Sequence, residues 1–367
     1  MADLALVPDT AETKGKLEAG FRKKAAIWGY IHEVGQFQMP QFPKEPGWAV
    51  KFRGDLEGAR AHAVAWTDTL GPELFSKVPQ SILDYANLFS ASTSHLVHIM
   101  NDAAEASRGF TSAEAEKIDL LFKELSTELN EQSCEIAALS RRLKDFRSLI
   151  LADQVNFRTA KAAAHADAGI ANNEIEKITL QMKRIRQEIE SANQARALSG
   201  IGIGLGLFVG VAALALTVAS GGLLAPLALA VAVVGTGAAT YEFVASGNDI
   251  SSSYAELQRQ LSALSAEKAQ AAALSLFDQS IEALVDSCDK ALSYLDDVGK
   301  MWATLASRLD AVVKDLRIAK DRTAILAQLT RVEASRKAWQ QLTDFAVTLQ
   351  RVGEDVDVQR VTVAAAA

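Results

Sequence analysis

The sequence predicts an all-α protein, an elongated antiparallel helical bundle whose long stalk helices are joined by an apolar head. Three observations predict it. Ala, Leu, Glu, Gln and Lys abound while Pro numbers only 7 and aromatics 7%, a composition that loses little side-chain freedom in helices. Heptad seams run through much of the chain. An uncharged stretch interrupts those seams near the middle.

With 367 residues, 49% hydrophobic and 23% charged, the chain has the composition of a folded protein and not of a disordered or collagen-like one. Its net charge of -7, without a Lys/Arg-dense stripe flanked by aromatics, argues against nucleic acid as a partner. The start, Met-Ala-Asp-Leu-Ala-Leu-Val-Pro, lacks a basic segment followed by an apolar one, so no Sec signal peptide is expected.

In order along the chain, residues 1–110 form the N-terminal part of a tail bundle. A first helix is expected from Thr10 to Val34. The Pro-rich stretch Phe37–Gly47 then forbids helix, and helices follow over Gly54–Leu70 and Gln80–Ser107. Residues 111–199 form the ascending stalk, starting at Thr111-Ser112. Ile118, Phe122, Leu125, Leu129, Gln132, Ile136, Leu139, Leu143, Phe146 and Ile150 make its seam, which resumes as Ile175, Ile178, Met182, Ile185 and Ile189. A single helix of about 85 residues ending at Gly200 is the expectation.

Residues 200–247 are the apolar head. Between Arg196 and Glu242 there is no Asp, Glu, Lys, Arg or His, a run of about 45 residues against the ~20 that one spanning helix needs. Ser220-Gly221-Gly222 divides it into Ile201–Ala219 and Leu223–Tyr241, each about one bilayer long. A membrane hairpin follows, with Gly221 and Gly222 at its tip and Gly200 and Gly247 as hinges. Its membrane-inserting residues are Ile201, Ile203, Leu205, Leu207, Phe208, Val209, Leu214, Leu216, Val218, Leu223, Leu224, Leu227, Leu229, Val231, Val233 and Val234. An uncharged tip avoids a cost of about 2.5–3.5 kcal/mol per charge at mid-bilayer.

Glycines at 200, 202, 204, 206 and 210 make the first arm a poor helix in water, at about 1 kcal/mol each. Short paired strands are expected in water, helices in lipid. Buried core helices and a constitutive hairpin anchor share this hydropathy; ordinary cores, however, intersperse more polar residues. The glycines mimic a dinucleotide loop, yet no strand precedes them and no acidic residue stands about twenty positions on.

Residues 248–350 form the descending stalk and tail helices, with Ile250, Tyr254, Leu257, Leu261, Leu264, Phe277, Ile281, Leu284, Cys288, Leu295, Trp302, Leu305, Leu309 and Val312 on the seam. Asp321-Arg322-Thr323 starts a final helix through Leu349. Residues 351–367 comprise a period-two strand and a frayed end. That strand is expected to pair with Trp48–Phe52 in a small tail β-sheet.

Chemistry-bearing motifs are scarce. His95 and His98 share a helical face without a third ligand and read as surface or packing residues, so no metal and no cofactor is expected. No hydrolase elbow, zincin motif or Walker loop occurs, and an enzyme is disfavoured. Straight antiparallel helices put Cys134 and Cys288 about 30 Å apart along the axis, predicting two free thiols.

The apolar segment Ile201–Tyr241 between heptad helices Ile118–Ile189 and Ile250–Val312 resembles the cytolysin A superfamily of α-helical pore-forming toxins. The mid-chain position of that segment is similar to the haemolysin BL and non-haemolytic enterotoxin components. Lys14–Tyr30 and Phe37–Gly47 resemble the Mak cytotoxins. The resemblance implies a β-tongue in the head, conversion of the head to membrane helices on assembly, and export without a Sec signal to a host-cell membrane. It implies partners too: the target-cell lipid membrane, further copies in a homo-oligomer, and one or two related toxin subunits. The alternatives are a constitutively membrane-anchored coiled-coil structural protein and a non-inserting regulatory subunit of a multi-component toxin.

Overall fold

A computed structural model describes residues 6–36, 45–169, 173–188 apart from 175, 182 and 186, 208–210, 214–215, 228–234, 255–260 apart from 258, 263–264, 266–319, 321–354 and 356–361. Long antiparallel helices dominate them: α1 (Thr10–Gln36), α2 (Gly47–Ala65), α3 (Gly71–Glu105), α4 (Ser112–Ala168), α5 (Ala266–Ile318) and α6 (Arg322–Glu354). The chain divides into two compact units. Unit 1 comprises residues 1–20, 74–141 and 292–351; unit 2 comprises 21–73, 142–291 and 352–367.

All ten seam positions from Ile118 to Ile150 are buried, Gln132 included. The 4–3 spacing keeps one stripe of α4 facing its neighbours. The start of α4 is a capping box: Glu114 N–H donates to Thr111 Oγ1 (3.3 Å) and Thr111 N–H to Glu114 Oε2 (2.8 Å), satisfying helix-end donors reciprocally. Arg108 also grips Glu114 with both terminal nitrogens, at 2.6 and 2.8 Å. That bidentate bond, reinforced by the Thr111 N–H, holds the Glu114 carboxyl down at about 2.

Within unit 1 the core is aromatic. Tyr85 and Phe89 of α3 meet Trp302 of α5 and Trp339 of α6, with the two indoles stacked 6° from parallel at 6.3 Å. The N-terminal segment closes this cluster. Trp339 Nε1 donates to Leu6 O (2.8 Å), Leu6 N–H to Ser335 Oγ (3.1 Å) and Arg308 to Val7 O (3.0 Å), so backbone groups outside any helix or strand are satisfied by side chains. Asp9 then caps α1 through Glu12 N–H at 2.8 Å. Gly20 lets α1 approach the Tyr294 ring, whose carbons lie 2.5 Å from where a Cβ would stand.

Three expectations are corrected here. The single helix to Gly200 ends at Ala168, because Gly169 takes φ 56°, the left-handed conformation that glycine adopts freely and that ends helices; the described residues between 173 and 188 are helical again. Trp48–Phe52 is helix and not strand: Pro46 stands at the N-cap of α2, and Ala49, Phe52, Leu56, Ala59 and Ala63 bury one face at helical spacing. The expected gap between Leu70 and Gln80 is also helical. One π-helical turn, Trp66–Leu70, leads into α3, which contains Pro79.

The C-terminal strand exists, but its partner differs from the expected one. Strands β1 (Phe208–Gly210) and β2 (Leu214–Ala215) pair antiparallel with one edge of β3 (Ala228–Val234), and β4 (Val356–Val361) pairs antiparallel with the other. No tail sheet with residues 48–52 forms, because α2 uses those backbone groups.

Candidate functional site

The site is built outward from the helices that flank the apolar segment in unit 2. Facing residues of α4 and α5 are matched in charge. Arg147 donates to Asp289 at 2.8 Å, Arg158 Nε donates to Asp278 Oδ1 at 3.2 Å, and Lys161 also pairs with Asp278. Further along, His165 Nε2 meets Ser275 Oγ (2.7 Å) and Ala271 O (3.1 Å), and Lys268 donates to Glu174 at 3.1 Å. Asp278 is buried; such a carboxylate persists only when cations complete its hydrogen bonds.

These pairs fix the antiparallel register. Residues 147 and 289, like 158 and 278, have their midpoint at 218; 165 and 275 at 220; 174 and 268 at 221. Strand pairing continues the series: Phe208 opposite Val234 centres on 221, and Leu214 opposite Leu229 between 221 and 222.

On the other flank α2 packs against α4 through Phe52 and Phe157 (5.3 Å), Trp66 and Phe146 (4.7 Å), and a 2.7 Å bond between His62 Nδ1 and Asp153 Oδ2. Burial raises the Asp153 carboxyl above its ordinary value, opposed by the His62 hydrogen bond. Burial lowers His165, opposed by its bond to Ala271 O. Neither arrangement assembles a reacting centre. His95 and His98 are exposed on α3, and among the described residues no three His, Cys, Asp or Glu side chains group to hold a metal. Cys134 is a free exposed thiol and Cys288 a free buried one.

Of the expected membrane-inserting residues, Phe208 and Val209 lie in β1, Leu214 in β2, and Leu229, Val231, Val233 and Val234 in β3. Ile201, Ile203, Leu205, Leu207, Leu216, Val218, Leu223, Leu224 and Leu227 lie outside the described residues, as do Gly221, Gly222, Gly200 and Gly247. Among the described residues no helix is long and apolar enough to cross a membrane. Sequence reasoning missed the register-setting residues Arg158, Lys161, His165 and Asp278. Their signal in the sequence was weak: Arg158 is exposed and Lys161 and His165 are half-buried beside the buried stripe of α4, and only Asp278 is buried.

Residues 38–192 match the model of the Bacillus haemolytic enterotoxin (HBL) family. No curated protein matches the whole sequence significantly. Solved structures do match over nearly the full length. SmhA of the tripartite α-pore-forming toxin Smh from Serratia marcescens superposes with a TM-score of 0.74 at 15% identity, over 95% of this chain and 95% of that one. Motility Associated Killing Factor B from Vibrio cholerae gives 0.72 at 14%, over 96% and 100%. The HblL1 toxin component of Bacillus cereus gives 0.69 at 15%, over 94% and 97%. The chain therefore has the fold of these solved toxin components, and its residues 38–192 match the Bacillus haemolytic enterotoxin (HBL) family.

Proposed function

We propose that this protein is a component of a multi-part α-pore-forming toxin that is exported in a water-stable form and inserts residues 200–247 into a target-cell membrane. It assembles there with copies of itself and with one or two related subunits. The observation that carries this reading is the absence of any Asp, Glu, Lys, Arg or His between Arg196 and Glu242. Across that interval the flanking helices and the strands pair antiparallel, with midpoints that move from 218 to between 221 and 222. In lipid, Ile201–Ala219 and Leu223–Tyr241 become two helices turning at Gly221-Gly222, since internal hydrogen bonding is the only arrangement hydrocarbon tolerates. Gly200 and Gly247 act as the hinges. The four-residue spacing of Gly202, Gly206 and Gly210 lets the arms or their neighbours approach closely.

Removing ~1,000 Å² more apolar area from water favours insertion by roughly 25 kcal/mol gross, before unpacking. The HBL match and the tripartite Smh likeness support related subunits as partners. Dye release from liposomes, measured for the purified chain alone and with candidate partner subunits, tests the reading. Gly221→Asp and Gly222→Asp place a charge at the crossing tip and lower leakage at least tenfold if the hairpin inserts. Undiminished leakage from both variants overturns it.

A further inference from the structure

The C-terminal strand carries an inference that the fold's likenesses do not. β3 is a seven-residue uncharged strand, Ala-Leu-Ala-Val-Ala-Val-Val, with β1 and β2 on one edge. Six of its seven residues pair along the other edge with β4: Leu229 with Val361, Ala230 with Arg360, Val231 with Gln359, Ala232 with Val358, Val233 with Asp357 and Val234 with Val356. Without β4, that edge is an apolar template of the kind that recruits other strands. β4 differs in composition. It brings Asp357, Gln359 and Arg360 to the sheet's new edge, and charge on an edge strand discourages further pairing.

The two states of the segment exclude one another. A helix over residues 228–234 uses their N–H and C=O groups internally, and a ladder with β4 uses the same groups between strands. We propose that β4 is an intramolecular lock: while it occupies the free edge of β3 the apolar segment is held as sheet, and the segment enters a membrane only after β4 unzips. This inference rests on the insertion reading above. Its structural half, that β4 keeps β3 in the sheet, stands apart from membranes.

The test joins β4 to β3 by a disulfide in the full chain. Ala232→Cys and Val358→Cys, made with Cys134→Ser to remove the exposed thiol, put cysteines at directly opposite positions, within reach of a cross-strand bridge. The oxidised protein is expected to lose liposome leakage at least tenfold and to regain it on reduction. Equal leakage from the bridged and reduced forms overturns the lock, as does failure of the bridge to form. A second variant, Asp357→Pro with Val358→Pro, removes a ladder donor whichever of the two neighbours faces β3. Amide exchange at 228–234 in solution is then expected to quicken at least tenfold; unchanged exchange overturns the lock. If every form, with partner subunits added, leaves liposomes intact, the insertion reading fails, and the exchange result alone decides the lock.

Discussion

Asp278 offers the most searching test of how the helix pair is held. Its carboxylate is buried, and it accepts from Arg158 at 3.2 Å and from Lys161. Asp278→Ala removes both bonds and leaves the Lys161 ammonium, 27% exposed, without its partner. A hydrogen bond to a charged group contributes about 1.5–3 kcal/mol. The Arg158 share is discounted because that side chain is 51% exposed and falls in the surface range of ~0–1 kcal/mol. The expected loss is about 2–4 kcal/mol. Urea unfolding followed by far-UV circular dichroism reads it as a lower midpoint at an unchanged slope. Replacing the pair together, Asp278→Leu with Lys161→Met, removes the orphaned charge and recovers all but about 1 kcal/mol. A loss below about 0.5 kcal/mol from Asp278→Ala, or a double variant no better than the single one, refutes the reasoning.

Gly20→Ala gains about 1 kcal/mol of helix propensity, yet its Cβ would lie 2.5 Å from Tyr294 ring carbons; a net loss of about 1–2 kcal/mol is expected in thermal melts. Thiol titration of the native protein should find one fast cysteine, Cys134, because Cys288 is buried and its thiol is pushed up to about 12 by that burial; urea should release the second. Stability should fall as pH drops below about 6.5, since burial lowers His165 and the unfolded chain takes up that proton first. His165→Gln should flatten that limb of the pH profile. Glu114, held at about 2 by Arg108 and the Thr111 N–H, adds stability that is fully present above about pH 4.5 and lost as pH falls toward 2. Glu114→Gln should therefore remove the acid limb of the same profile.

The heptad seam was legible because burial in a long helix repeats locally: each seam position from Ile118 to Ile150 needs only its own helix's geometry to be read. Thr111 with Glu114, and Asp321 bonded to Ala324 N–H at 2.9 Å, are likewise local signals. Gly169 was overlooked since a lone glycine in an Ala-rich stretch is tolerated as often as it breaks a helix. The start of α2 is read late because Trp48–Phe52, rich in apolar and aromatic residues after a Pro-rich stretch, reads as strand, whereas those residues open the helix. The partner of β4 was beyond local reading altogether. Period-two alternation marks a strand without naming which edge, more than a hundred positions away, it completes.

The claim at the centre of this account is that the apolar segment moves from protein shelter into hydrocarbon. Single cysteines at Leu216, Gly222 and Leu224, each in a Cys134→Ser background, can carry an environment-sensitive fluorophore and be mixed with liposomes and partner subunits. Native Cys134, on exposed α4 surface, carries the same label as the aqueous control. The account predicts quenching by lipid-borne nitroxides at the three hairpin positions and none at Cys134. Membrane leakage with all three hairpin labels still unquenched contradicts it.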